Sequence, residues 1–252
     1  MANGYKSGFS RKRLVTLFKS TAFKVTAMLA LFLSSLLIAM AMLLGEHAGV
    51  FVIRVQSGDV EKSIHITENP DYTQGLTKTL RPKGFDNMTD ISPEYFIEEG
   101  FQKIYNYTEE PGLLQEENCL YVYTFYIVNT GTGAVGVDIE MNIKSVTKDL
   151  DDIVRVMTFY DYKGKVSANI YQKKDNIPFD YPMYNVIAPQ PFINNDIVFR
   201  ENVNISFMDG EDALKYSVFF WLEGNDPDST PETAPKYYGA TIQFELDLKV
   251  SM

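Results

Sequence analysis

The sequence predicts an all-β sandwich preceded by one N-terminal transmembrane helix. Three observations carry this. Val25 to Gly45 reads VTAMLALFLSSLLIAMAMLLG, 21 residues without a charge. Two stretches, GAVGVDIEMNIKSV and GATIQFELDLKV, alternate apolar and polar residues. Such alternation puts one face of a strand in a core and the other in water. Two further runs, LYVYTFYIV (120–128) and KYSVFFWLE (215–223), are apolar on both faces, as central strands covered on both sides are.

Taken in order, residues 1–24 are a basic tail in which Leu14, Val15, Leu17, Phe18 and Phe23 interleave with lysine and arginine. This pattern suits either the membrane surface or an extension of the following helix. As a helix, residues 25–45 span roughly 31 Å, about the thickness of a bilayer core. The 252-residue chain has a formal net charge of −10, but residues 1–45 hold six basic residues and no acidic one. The rest carries 17 Lys+Arg against 33 Asp+Glu. A basic head before an apolar run keeps the N-terminus in the cytoplasm and sends the acidic body outside. So acidic a body excludes nucleic acid as a partner. The triplet Ala39-Met40-Ala41 has the form of a signal-peptide cleavage site. Met42, Leu43 and Leu44 continue the run past it, which favours a retained anchor. A cleaved signal keeps the same topology and loses the tether.

The body, residues 46–252, reads as one extracytoplasmic domain. The two alternating stretches give strands over 134–146 and 240–250. Asn129–Gly133 between the first two strong strands reads as a hairpin link. Weaker strands are expected at 60–67, 76–80, 153–159, 165–171 and 197–207, in a fold with an irregular lobe over about 68–118. A helix is expected at Pro93–Glu99, with Ser92 as N-cap and Gly100 as stop, and a helical turn at Leu150–Ile153. The single cysteine, Cys119, cannot form an internal disulfide and is expected to be buried and inert.

Catalytic signals are absent. There are two histidines, His47 and His65, no HExxH and no GxSxG, so the chain is not predicted to be an enzyme. Paired carboxylates in so acidic a chain read as solvated surface. The loop LEGNDPDST offers Glu223, Asn225, Asp226 and Asp228, hard oxygen ligands of the kind calcium takes. Pro227 breaks the EF-hand pattern, and Asn-Asp-Pro-Asp is also turn chemistry. Both readings stand at this point, and calcium is the only cofactor in question. Sequons occur at Asn87, Asn106 and Asn204. A pilin start fails, because the fifth residue after a Gly8-Phe9 junction is Arg13 rather than glutamate.

The run YVYTFYIV followed by Asn129-Thr130-Gly131 and an alternating strand resembles the strand–N-x-G–strand core of Gram-positive surface proteins related to TasA and camelysin. KYSVFFWLEGNDPDS followed by YYGATIQFELDL resembles that group's C-terminal end. The resemblance covers residues 119–252 and the export segment. It implies a jelly-roll-like antiparallel sandwich exported across the membrane, acting as a biofilm-matrix fibre subunit or surface protein. TasA-like fibres grow when an N-terminal strand of one subunit completes the sheet of the next. The corresponding segment is Gly49–Val55, with Val50, Phe51, Val52, Ile53 and Val55 as its apolar residues. TasA-like subunits are cut free of the export segment, whereas this chain reads as keeping it. Camelysin is classed as a metallopeptidase, an alternative for which this chain shows no zinc motif. The expected protein is therefore a single-pass plasma-membrane protein with an extracellular β-sandwich. It meets the bilayer through Val25–Gly45, and meets copies of itself or other surface proteins through sheet edges and the tyrosine-rich loops at Tyr181–Tyr184 and Tyr237–Tyr238.

Overall fold

The computed structural model describes residues 28–29, 51–56, 63–84, 87–92, 101–173, 187–206 and 213–251. Thirteen strands are formed in chain order among these residues: β1 (Val52–Val55), β2 (Ile64–Thr67), β3 (Thr79–Leu80), β4 (Asp90–Ile91), β5 (Gly112–Glu116), β6 (Leu120–Asn129), β7 (Val135–Val146), β8 (Val154–Tyr162), β9 (Lys165–Gln172), β10 (Gln190–Pro191), β11 (Ile197–Ile205), β12 (Ala213–Glu223) and β13 (Ile242–Val250). One α-helix, α1 (Phe101–Tyr107), precedes β5.

The strands form two sheets, as an all-β sandwich requires. The smaller has the order β11-β7-β13-β1-β3, and the larger β10-β9-β8-β12-β6-β2, with β4 on β12 and β5 on β6. The two-sided apolar runs are explained by position. In β6, Tyr121, Tyr123, Phe125 and Ile127 face the inter-sheet core, while Leu120 and Val122 join a second cluster with Ile104 of α1. In β12, Tyr216, Val218 and Phe220 face the inter-sheet core, and Phe219 and Trp221 face the second cluster. The larger sheet is thus covered on both faces, and only two-sided strands can occupy its centre. In β7, Val135, Val137, Ile139, Met141 and Ile143 are buried. In β13, Phe244, Leu246, Leu248 and Val250 are buried. Their opposite faces carry the polar residues, as the alternation requires.

Several details differ from the sequence reading. Asn129–Gly133 is not a hairpin, because β6 lies in the larger sheet and β7 in the smaller. Both edges of β6 are taken, by β12 on one side and by β2 and β5 on the other, so the chain must cross. The Asn129 side chain organises the crossing, accepting from the Gly131 N–H at 3.0 Å and donating to the Gly133 carbonyl at 2.8 Å. The tight hairpin lies instead between β8 and β9 at Lys163-Gly164, with φ of 54° and 76°, the two positive values of a type I′ turn. Nor is the sandwich wholly antiparallel: β1–β13, β4–β12 and β9–β10 are parallel pairs.

The strands predicted at 60–67 and 76–80 shorten to β2 and β3 among the described residues. β4, β5 and β10 carry no period long enough to read. The predicted helix at Pro93–Glu99 lies outside the described residues, and α1 follows the glycine read as its stop. The turn at Leu150–Asp152 forms as a 3-10 helix. No described helix is long and apolar enough to cross a membrane. Of Val25–Gly45, only Met28 and Leu29 are described, and both are helical and exposed. Residues 48–252 are one compact unit.

Candidate functional site

The loop after β12 is set by its own side chains. Glu223 is wholly buried. Its carboxylate accepts from Trp221 Nε1 at 3.2 Å and from the Asn225 backbone N–H at 3.2 Å. Asp226 caps the 3-10 turn Pro227–Ser229, its Oδ1 accepting from the Asp228 N–H at 2.8 Å, as an aspartate before a proline does. Its Oδ2 meets Arg155 of β8 at 2.5 Å, with both side chains almost fully buried. Arg155 also donates to the Asp152 and Val154 carbonyls, each at 3.3 Å.

The four candidate calcium ligands are therefore divided. Glu223 and Asp226 point inward and are used up by an indole, backbone amides and a guanidinium, while Asn225 and Asp228 are exposed. Among the described residues no three His, Cys, Asp or Glu side chains gather to hold a metal. The donor set does not fit a calcium ion, and the buried cation it does meet is Arg155. Lysines neutralise the acids that flank Arg155 in sequence. Lys173 pairs with Asp151 at 2.8 Å and Asp152 at 2.7 Å, and Lys236 with Asp149 at 3.2 Å. Burial pulls the Lys173 amine down, but its bonds to the two aspartates outweigh this and hold it above its ordinary value.

The strand-exchange segment is placed as a structural strand. Phe51, Ile53 and Val55 are buried in the inter-sheet core, Val52 and Arg54 face outward, and Val50 lies outside the described residues. β1 runs parallel to β13 in the register Val52↔Glu245 to Val55↔Leu248, and antiparallel to β3. Arg54 reinforces the pairing through Glu245 at 2.8 Å. Phe51 packs edge-on against Phe220 at 5.2 Å and Tyr123 at 6.0 Å between ring centroids.

Besides Arg155, sequence reasoning missed a charge that faces the other sheet. Glu201 of β11 points between the sheets and accepts from Thr158 Oγ1 at 2.7 Å, Tyr171 OH at 2.7 Å, Asn169 Nδ2 at 3.1 Å and Tyr216 OH at 2.8 Å. Burial, and then the Glu201 charge, raise both tyrosine hydroxyls well above their ordinary value. The signal was present, since Phe199, Glu201, Val203 and Ile205 share one parity of the alternation. β11 is an edge strand of the smaller sheet, and an inward charge there discourages a further strand from docking.

The tyrosine pair is split: Tyr237 is buried and Tyr238 is 73% exposed. Tyr181–Tyr184 lie outside the described residues. Both Tyr237 and Tyr238 line a cleft of about 940 Å³ between the sheets, together with Phe51, Phe220, Ile242 and Phe244. Cys119 is buried and donates to the Glu116 carbonyl, and burial raises its thiol above the ordinary value. His65 sits between buried Ile64 and Ile66, its Nδ1 2.9 Å from Thr130 Oγ1. The three sequon asparagines are exposed. Comparison with known proteins finds no matching family and no matching curated sequence.

Proposed function

We propose that this chain is a membrane-anchored cell-surface structural protein with a jelly-roll-like ectodomain, held by Val25–Gly45 with its N-terminus in the cytoplasm. It works by association with copies of itself, as a surface-fibre or biofilm-matrix component. It performs no catalysis.

The observation that supports this is the placement of β1. It is the first described strand after the apolar segment, and it joins β13 by parallel pairing at one side of the smaller sheet. Burying Phe51, Ile53 and Val55 is worth roughly 1.5–3 kcal/mol each. Together that is comparable with the whole net stability of a domain, about 5–15 kcal/mol. A body without β1 is therefore poorly stable alone. The same strand from a neighbouring copy offers the same register and the same buried surface, which is β-augmentation in trans. Whether a strand serves its own chain or the next is then decided by effective concentration rather than by new contacts.

The test uses two differently tagged full-length chains in one membrane, both carrying Cys119→Ser. One has Arg54→Cys and the other Asp247→Cys, positions that face each other in the β1–β13 register. Neither variant can close a disulfide within itself at this site. Covalent dimers carrying both tags are expected. Their absence, while the double variant in a single chain closes internally, would overturn exchange in trans.

A further inference from the structure

We propose that the cleft beside the start of β1 seats the acyl chain of a single-chain anionic amphiphile, such as a long-chain fatty acid, with its head group at Lys148. This deepens the membrane-surface reading and rests on it.

The cleft's size, about 940 Å³, lies at the upper end of the roughly 300–1,000 Å³ usual for small-molecule sites. One wall is apolar: Phe51, Leu150, Ile153, Phe220, Ile242 and Phe244 all line the cleft. Two polar groups among the aromatic walls are already engaged. Tyr121 OH donates to the Lys83 carbonyl at 3.2 Å and Trp221 Nε1 to Glu223. The part of an occupant seated against Phe51, Phe220, Ile242 and Phe244 is best matched by hydrocarbon, because a polar group there would lose its water without gaining partners.

Polar residues lie among the lining as well, namely Asn87, Thr89, Asp90, Ser229 and Thr241. Asp90 lies tight against Gly224, where a Cβ would come within 2.7 Å of its Oδ2. Beside the cleft, Lys148 donates to the carbonyl of Tyr238, a lining residue. Among the described residues Lys148 has no ion-pair partner, whereas nearby Lys236 is neutralised by Asp149 and Asp152. An apolar wall with the Lys148 cation beside it, at the side of Tyr238 and Gly239 and apart from the Asp90 carboxylate, complements an apolar chain with an anionic end.

The probe is palmitic acid carrying a photoreactive group on its chain. It is added to the full-length chain in vesicles of phosphatidylethanolamine and phosphatidylglycerol, and labelled peptides are mapped by mass spectrometry. Label is expected on Phe51 and on Tyr237–Phe244, above the level of other ectodomain peptides. Ala240→Trp, which fills the cleft, is expected to lower this label about tenfold and leave label on residues 25–45 unchanged. Lys148→Glu, an exposed change, should lower it several-fold for the acid but not for the uncharged hexadecanol analogue. Cleft label no higher than the surface level, or unaffected by Ala240→Trp, overturns the proposal. So does the finding that Ala240→Trp abolishes self-association instead, which would give the cleft to a second copy. Label in the cleft without label on residues 25–45 would sink the anchor and leave the site standing.

Discussion

Removing Asp226 strands the Arg155 guanidinium where water cannot reach, and breaking such a buried pair costs about 3–5 kcal/mol. For a body of this size Asp226→Ala should lower the melting temperature by roughly 6–20 °C. Asp228→Ala, two residues away and exposed, should leave it almost unchanged, because surface changes are usually worth within about 0.5 kcal/mol. A calcium site would make the two variants similar, so thermal melts of the pair decide between the uses of this loop. Asp247 behaves differently. Burial and then the neighbouring Glu245 push its carboxyl above the ordinary value, more than Lys144 and Arg54 pull it down. A carboxyl raised in the folded state holds its proton more tightly there than in the unfolded chain. Stability is therefore lost as pH rises through the folded value. Asp247→Asn should melt higher than the parent at pH 7, and the difference should vanish in acid once the carboxyl is protonated in both states. Nothing local in the chain signals the role of Arg155, which follows Ile153 and Val154 in a predicted strand. Its partner lies 71 positions away, and no local pattern reports such a distance.

Elements with a long, clean period were legible. β6, β7, β12 and β13 appear where alternation or two-sided apolarity placed them, because burial imposes that pattern on many residues in a row. The two-residue strands β4 and β10 have no period to read and exist through their neighbours, and of the strand read at 76–80 only β3 forms. The link between β6 and β7 is illegible for another reason. A short glycine-containing connection is equally good at joining strands in one sheet and strands in different sheets. The turn between β8 and β9 makes the better case for local control. Gly164 has φ of +76° and, beyond its own chain neighbours, no atom within 4 Å of the place a Cβ would occupy, so Gly164→Ala meets no clash with the rest of the fold, only backbone strain. About 1–2 kcal/mol is expected for a left-handed L-residue, readable as a lower urea midpoint at unchanged m-value.

At the scale of the molecule, the acidic all-β body could be read from composition and period. The division of its core into an inter-sheet cluster and a second cluster under α1 could not. That division depends on which strands become central, and so on long-range pairing. The parallel β1–β13 pair has a mechanical consequence. The chain enters β1 at one end of this pair and leaves β13 at the other. A pull between the N-terminus and the C-terminus therefore slides the two strands along each other and loads their hydrogen bonds together, in shear. Unzipping would break them one at a time. In single-molecule extension, the body should yield at a higher force when pulled from handles before β1 and after β13 than when pulled across β1 and β13 from neighbouring register positions. In the surface anchoring proposed above, the clamp would sit at the point where the load comes in.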